Sequence, residues 1–127
     1  MKILVVHRQK STVAAIQSVL RKGQTVARYT ESGLDGLLTS RIEHFDMIIC
    51  GTDLPVVTGF ELVRSLRTNS VNRQTPVVFV SDTVSDKVQQ LATALDAKGI
   101  ILEKQIAEEL PAFLLSAENQ TPLRATA

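Results

Sequence analysis

Residues 46–67 read DMIICGTDLPVVTGFELVRSLR. The run from Asp46 to Cys50 is too short for a typical helix and strongly apolar, which predicts a buried strand. After a loop carrying Pro55 and Gly59, Phe60, Val63 and Leu66 recur at helical spacing and predict an amphipathic helix capped by Thr58. The same strand-then-helix unit repeats outward in both directions. Lys2 to Val6, Pro76 to Val80 and Gly99 to Leu102 are further apolar runs, while Thr25 to Tyr29 is weaker and mixed, as an edge strand can be. Between them, Val13, Ile16, Val19 and Leu20 share one helical face, as do Leu34, Leu37, Leu38 and Ile42, and Val88, Leu91 and Leu95. Ile106, Leu110, Phe113 and Leu114 mark a last helix starting near Ala107, which puts Pro111 in or just past its first turn.

Strand and helix thus alternate five times. Apolar strands separated by amphipathic helices imply a parallel sheet covered on both faces, an α/β doubly wound three-layer sandwich, because each parallel crossover needs a helix. One domain is expected over residues 1–117, with 118–127 (ENQTPLRATA) a polar tail or the start of a linker. The 127 residues carry 14 basic and 13 acidic side chains, a formal charge of +1 without a long run of one sign. That balance offers no footprint for nucleic acid or a membrane surface. No apolar run approaches the ~20 residues that span a bilayer, and a cytoplasmic protein is expected. Cys50, the only cysteine, excludes an internal disulfide and reads as an inert buried thiol.

In an open α/β sheet, ligands bind beyond the carboxyl ends of the strands, where strand order switches. The residues there are His7 and Arg8 after the first strand, Gly51 to Thr58 after the third, Ser81 and Asp82 after the fourth, and Glu103 to Gln105 after the fifth.

Over residues 1 to about 117 the sequence resembles the receiver domain of two-component response regulators, the CheY-like family. The resemblance rests on residues 46–67, on ILVV near the start, on PVVFVS over Pro76 to Ser81, and on Lys104. It implies a flavodoxin-like sheet in the order 2-1-3-4-5 with five helices. It also implies a phosphoryl acceptor, in which an aspartate ending the third strand is the nucleophile and an acidic pair after the first strand helps hold Mg²⁺. A hydroxyl after the fourth strand and a lysine after the fifth bind the phosphoryl oxygens. Carried over position by position, the acceptor falls on Gly51, which has no nucleophile, and the acidic pair falls on His7 and Arg8. Mg²⁺ favours hard oxygen ligands, and a guanidinium in their place repels a second cation. Ser81 and Lys104 match the hydroxyl and the lysine, Gln105 replaces the usual proline, and Ile101 stands at the usual switch aromatic.

The resemblance therefore points to an atypical, degenerate receiver with no catalytic residue, metal or cofactor. Its expected role is a phosphorylation-independent interaction module in bacterial signalling. The partner, a signalling protein or an output domain, is expected on the face of the fourth helix, fifth strand and fifth helix, roughly Ser85 to Leu115. A homodimer through that face is a further expectation. For the charged groups, one reading pairs Asp53 with Arg8 or Lys104, because isolated charges in a cleft are costly. A second has Arg8, Ser81 and Lys104 bind a small anion or a partner's acidic side chain. A third makes Asp53 the phosphoacceptor, two residues out of register. His7 reads as a partly exposed, hydrogen-bonding histidine.

Overall fold

The structure, a computed structural model, describes residues 1–68 and 70–126, with side chains placed through residue 117. Five strands, β1 (Lys2–Val6), β2 (Val26–Thr30), β3 (Met47–Gly51), β4 (Val77–Ser81) and β5 (Gly99–Leu102), pair in parallel in the order β2-β1-β3-β4-β5. The helices are α1 (Lys10–Leu20), α2 (Gly33–Ile42), α3 (Gly59–Thr68), α4 (Asp86–Ala94) and α5 (Ile106–Thr126), the last preceded by a 3-10 turn at Glu103–Gln105. This is the doubly wound sandwich expected, with the weak strand at one edge.

Alternation along each strand divides the core. Ile3 and Val5 of β1, Ile49 of β3 and Val78 and Val80 of β4 face Ile16, Val19 and Leu20 of α1 and Ile106 and Leu110 of α5. Leu4, Val6, Ile48 and Phe79 face the other way, against Leu62, Val63 and Leu66 of α3 and Ala92 of α4. The three inner strands are buried throughout or nearly so, whereas β2 has no buried residue and exposes Val26, Arg28 and Tyr29, as an edge strand with an open side does.

Four details differ from the sequence reading. The strands β2, β3 and β4 each run one residue further along the chain than the apolar runs suggest. At β4 the reason is Pro76, which offers no N–H to the ladder and contributes only a carbonyl, accepting from the Ile48 N–H at 2.9 Å. Second, α5 begins at Ile106, so Pro111 is its sixth residue and lies in the second turn. Third, α5 continues past residue 117 into the stretch expected as a polar tail. Fourth, α2 is turned relative to expectation. Its buried residues are Gly33, Gly36 and Ser40, while Leu34, Leu38 and Ile42 are 46%, 56% and 85% exposed. A Cβ on Gly36 would lie 2.8 Å from a Val6 methyl and 3.1 Å from Leu62, so α2 approaches the sheet more closely than an apolar face would allow.

The underside is held by the segment between α3 and β4. The Asn72 carboxamide accepts from the Phe45 N–H (2.8 Å) and the Thr75 hydroxyl (2.9 Å), and donates to the carbonyls of Ser40 and Glu43. Arg67 donates to the carbonyls of Thr75 (2.7 Å), Arg73 (3.0 Å) and Leu95 (3.0 Å), tying α3 to the same segment and to the end of α4. Among the described residues no helix is long and apolar enough to cross a membrane.

Candidate functional site

The carboxyl ends of β1, β3, β4 and β5 open onto one cleft, as the topology requires. Its walls include His7, Arg8, Thr52, Asp53, Ser81 and Glu103, and the space left among them is about 50 Å³. A water molecule takes about 30 Å³ of liquid, so the cleft has room for a water or two.

His7 fills the centre. The ring is buried, 5% exposed, where the sequence suggested partial exposure. Its hydrogen bonds are made: Nδ1 accepts from the Gln9 N–H at 3.1 Å, and Nε2 lies 3.3 Å from a carboxylate oxygen of Glu103. With Nδ1 an acceptor, the proton belongs on Nε2, and the neutral imidazole donates to Glu103. Beside it, Gly51 ends β3 fully buried. A Cβ built on Gly51 would lie 2.8 Å from His7 Cδ2 and 3.3 Å from Nε2, so the imidazole occupies the volume into which any side chain at position 51 would grow.

Burial pushes the His7 pKa below its ordinary value of 6.5; Glu103 opposes that shift, while the Arg8 charge adds to it. Native His7 thus stays neutral at a pH where the unfolded chain has begun to take up a proton. The unfolded state then binds more protons, so stability is full above about 6.5 and declines as pH falls through that value, by at most about 1.4 kcal/mol per pH unit. Urea unfolding of wild type and His7→Gln from pH about 7.5 to about 5 checks this. The stability difference between the two proteins is expected to shrink towards acid; a constant difference would contradict it.

The remaining groups are also engaged. Arg8 Nη2 donates to Asp53 Oδ2 at 2.7 Å, one of the pairings expected, with the Asp53 side chain largely and the Arg8 side chain about half in solvent. Such a pair contributes under about 1 kcal/mol, and orients the loop more than it stabilises the fold. The Ser81 hydroxyl, buried, accepts from Thr52 Oγ1 at 3.0 Å and donates to the Thr83 carbonyl at 2.6 Å. Thr58 caps α3 in a reciprocal box: its hydroxyl accepts from the Glu61 N–H, and Glu61 accepts from the Thr58 N–H. Cys50 is buried, its thiol pKa pushed up to about 12 by burial.

Two expected positions are corrected. Lys104 is exposed and is not among the residues lining the cleft; Glu103 points there instead. Since β4 and β5 pair Ser81 with Leu102, the next residue is the one beside the cleft, and the 3-10 turn starting at Glu103 swings Lys104 away. The geometry thus brings Arg8 and Ser81 together without the lysine of the anion-binding reading. Ile101 is fully buried against the α1 and α5 side of the sheet, while Ile100 is its partly buried neighbour on the other side, so strand alternation denies Ile101 a path to the surface. Thr52 and Glu103 lie within the stretches that the sequence places beyond the strand ends, but neither is singled out there.

The donor set does not suit a hard dication. Both nitrogens of His7 are used, Arg8 supplies a cation and Asp53 is paired to it. Among the described residues no group of three His, Cys, Asp or Glu side chains is placed to hold a metal.

Comparison with known proteins agrees with the topology. The family model described as response regulator receiver domain matches residues 3–120, nearly the whole chain. The chain belongs to the response-regulator receiver-domain family. Among curated relatives of this receiver domain, the cell cycle response regulator CtrA of Brucella ovis is 26% identical over 98 residues. That match covers 76% of this chain and 41% of CtrA, so the chain spans about two-fifths of the length of the curated relatives it matches. Among solved structures, the chemotaxis protein CheY4 of Vibrio cholerae superposes with a TM-score of 0.82 at 26% identity, covering 91% of this chain and 97% of CheY4. The receiver domain of Francisella response regulator 1452 gives 0.83 at 19% identity, covering 94% and 98%.

Proposed function

We propose that this receiver domain is an interaction module that works without aspartyl phosphorylation. The observation that carries the reading is the contact between His7 and Gly51: the site where the resemblance places the nucleophile has no carboxylate and no room for one. Three further features support it. Arg8 and His7 replace the acidic pair, Glu103 rather than a lysine faces the cleft, and the Ser81 hydroxyl is already used within the protein. Phosphoryl transfer depends on neutralising charge that spreads over the equatorial oxygens, and a closed cleft holding a carboxylate works against it. The partner, a signalling protein or an output domain, would dock on α4, β5 and α5, where α4 turns an outer face of Asp86, Gln89, Gln90 and Thr93 to solvent.

Incubation with acetyl phosphate and Mg²⁺ should leave the intact mass unchanged, and beryllofluoride with Mg²⁺ should leave the backbone amide spectrum unchanged. A mass gain of one phosphoryl group would overturn the reading. Its loss in Asp53→Asn would assign the acceptor role to Asp53.

A further inference from the structure

A second hollow lies beside the cleft, over the carboxyl ends of β1 and β2, with a volume of about 700 Å³. That is the size of a small-molecule site, roughly 300–1,000 Å³, whereas the cleft at Gly51 holds a water or two. Its walls follow from the topology. Lys10, Val13 and Gln17 stand at i, i+3 and i+7 along α1 and form one wall; Tyr29 and Glu31, from β2 and the turn after it, stand on the other. The strand register aligns Tyr29 with Val5, which packs towards α1 and α5, as does Ala27 two residues before Tyr29. The phenol ring is therefore on the α1 side of the sheet. Burial raises the Tyr29 pKa above its ordinary value of 10.0, with the Arg21 charge opposing the shift. In the cleft, His7, Asp53 and Ser81 are engaged within the protein. In the hollow, among the described residues, the side chains of Lys10, Gln17, Tyr29 and Glu31 make no hydrogen bond or ion pair within the protein.

We propose that this hollow binds a nucleoside phosphate. Three chemistries meet in it, and one class of ligand uses all three. Tyr29 offers an aromatic face for a heterocyclic base, with Val13 on the opposite wall, and the Gln17 carboxamide presents both a donor and an acceptor to the edge of such a base. Glu31, one residue past β2, accepts hydrogen bonds and donates none; a carboxylate at that place in a β-α-β unit is what ribose hydroxyls meet in nucleotide-binding sheets. Lys10, with Arg8 beside it, supplies cationic donors for a phosphate. The loop between β1 and α1, His7 to Gln9, has no glycine, so side chains rather than main-chain N–H groups take that phosphate. The hollow is not a site for a bare anion. Arg8 and Lys10 are matched by Glu31 and Asp35, so a ligand gains only by setting its anionic end towards α1 and its hydroxyls towards the turn after β2. The assignment goes beyond the interaction module and does not rest on it. Arg8 lines both hollow and cleft, so a phosphate beside it draws on the guanidinium that holds Asp53, which joins ligand binding to the loop after β3.

Titration of the isotope-labelled whole chain with the monophosphates of adenosine, guanosine, cytidine and uridine, followed by backbone amide shifts, tests this. At least one nucleotide is expected to saturate with a Kd below about 1 mM and to give its largest shifts at Lys10, Val13, Gln17, Tyr29 and Glu31. The parent nucleoside, ribose 5-phosphate and inorganic phosphate should each bind at least about tenfold more weakly, since each lacks one of the contacts. Lys10→Glu should weaken the nucleotide about tenfold and leave the nucleoside unchanged. Tyr29→Ala should weaken nucleotide and nucleoside alike, about tenfold, and leave ribose 5-phosphate unchanged. Both positions are exposed, and an unchanged far-UV circular dichroism spectrum checks that each variant keeps the fold. The absence of saturable shifts with all of these nucleotides up to about 10 mM would overturn the assignment. So would shifts centred away from the hollow, or ribose 5-phosphate or inorganic phosphate binding as tightly as the nucleotide.

Discussion

Asn72→Ala is expected to lower the unfolding free energy by about 4 kcal/mol, the largest single loss of stability among the substitutions considered. The side chain is fully buried and makes four hydrogen bonds in a segment with no regular structure of its own. Its carbonyl oxygen receives the Phe45 N–H just before β3 and the Thr75 hydroxyl just before β4; its amide group reaches the carbonyls of Ser40 at the end of α2 and Glu43 after it. Alanine would leave those backbone groups without partners, each at a desolvation penalty of about 1–3 kcal/mol, partly relieved where water can enter. Asn72→Asp is expected to be nearly as damaging. It keeps the acceptor but turns an oxygen towards two carbonyls and buries a charge. Urea denaturation should show a lower midpoint with an unchanged slope. A loss below about 1 kcal/mol would mean the surrounding segment satisfies itself without Asn72.

Asn72 also shows where sequence reading stops. Four of the five strands were legible because buried parallel strands are apolar almost without interruption: Ile3, Ile48 and Val78 each fall in such a run and each lies in the core, whereas β2, exposed at the edge, showed only as a weak and mixed run. The capping role of Thr58 was legible because a hydroxyl followed three residues later by Glu61 is a local signal. Asn72, by contrast, looks like any loop asparagine, since its partners lie far away in sequence. The α2 face was misread for a physical reason. Apolar periodicity locates the greasy side of a helix, but a helix that packs close to its sheet buries its small residues, and here Gly33, Gly36 and Ser40 take the inside. Of the candidate site, the residue types after β1, β3 and β4 were visible in order. Which neighbour faces inward after β5 was not, because one 3-10 turn decides between Glu103 and Lys104.

Gly51→Asp is the second substitution with a large expected effect, and it separates a missing nucleophile from a closed site. If the absent carboxylate were the whole of the difference, the variant would fold normally and gain reactivity. The geometry gives a different expectation. The new Cβ would start 2.8 Å from the His7 ring, and the carboxylate would extend into the same space, near that of Glu103. Overpacking of a well-filled site costs about 1–3 kcal/mol, and confining two carboxylates adds to it. A total loss of about 3 kcal/mol is expected, read as a lower urea midpoint. Enlarging the space should recover part of this: His7→Ala in the Gly51→Asp background should be less harmful than the two single losses added together, with a coupling of about 1–2 kcal/mol in a double-mutant cycle. Neither variant should gain mass from acetyl phosphate and Mg²⁺, because Arg8 remains at the mouth of the cleft, paired to Asp53 by a 2.7 Å bond. Additive stabilities would show that His7 and position 51 do not compete for space. A phosphorylated single variant would show that the cleft is open enough for chemistry, and that Gly51 alone had silenced it.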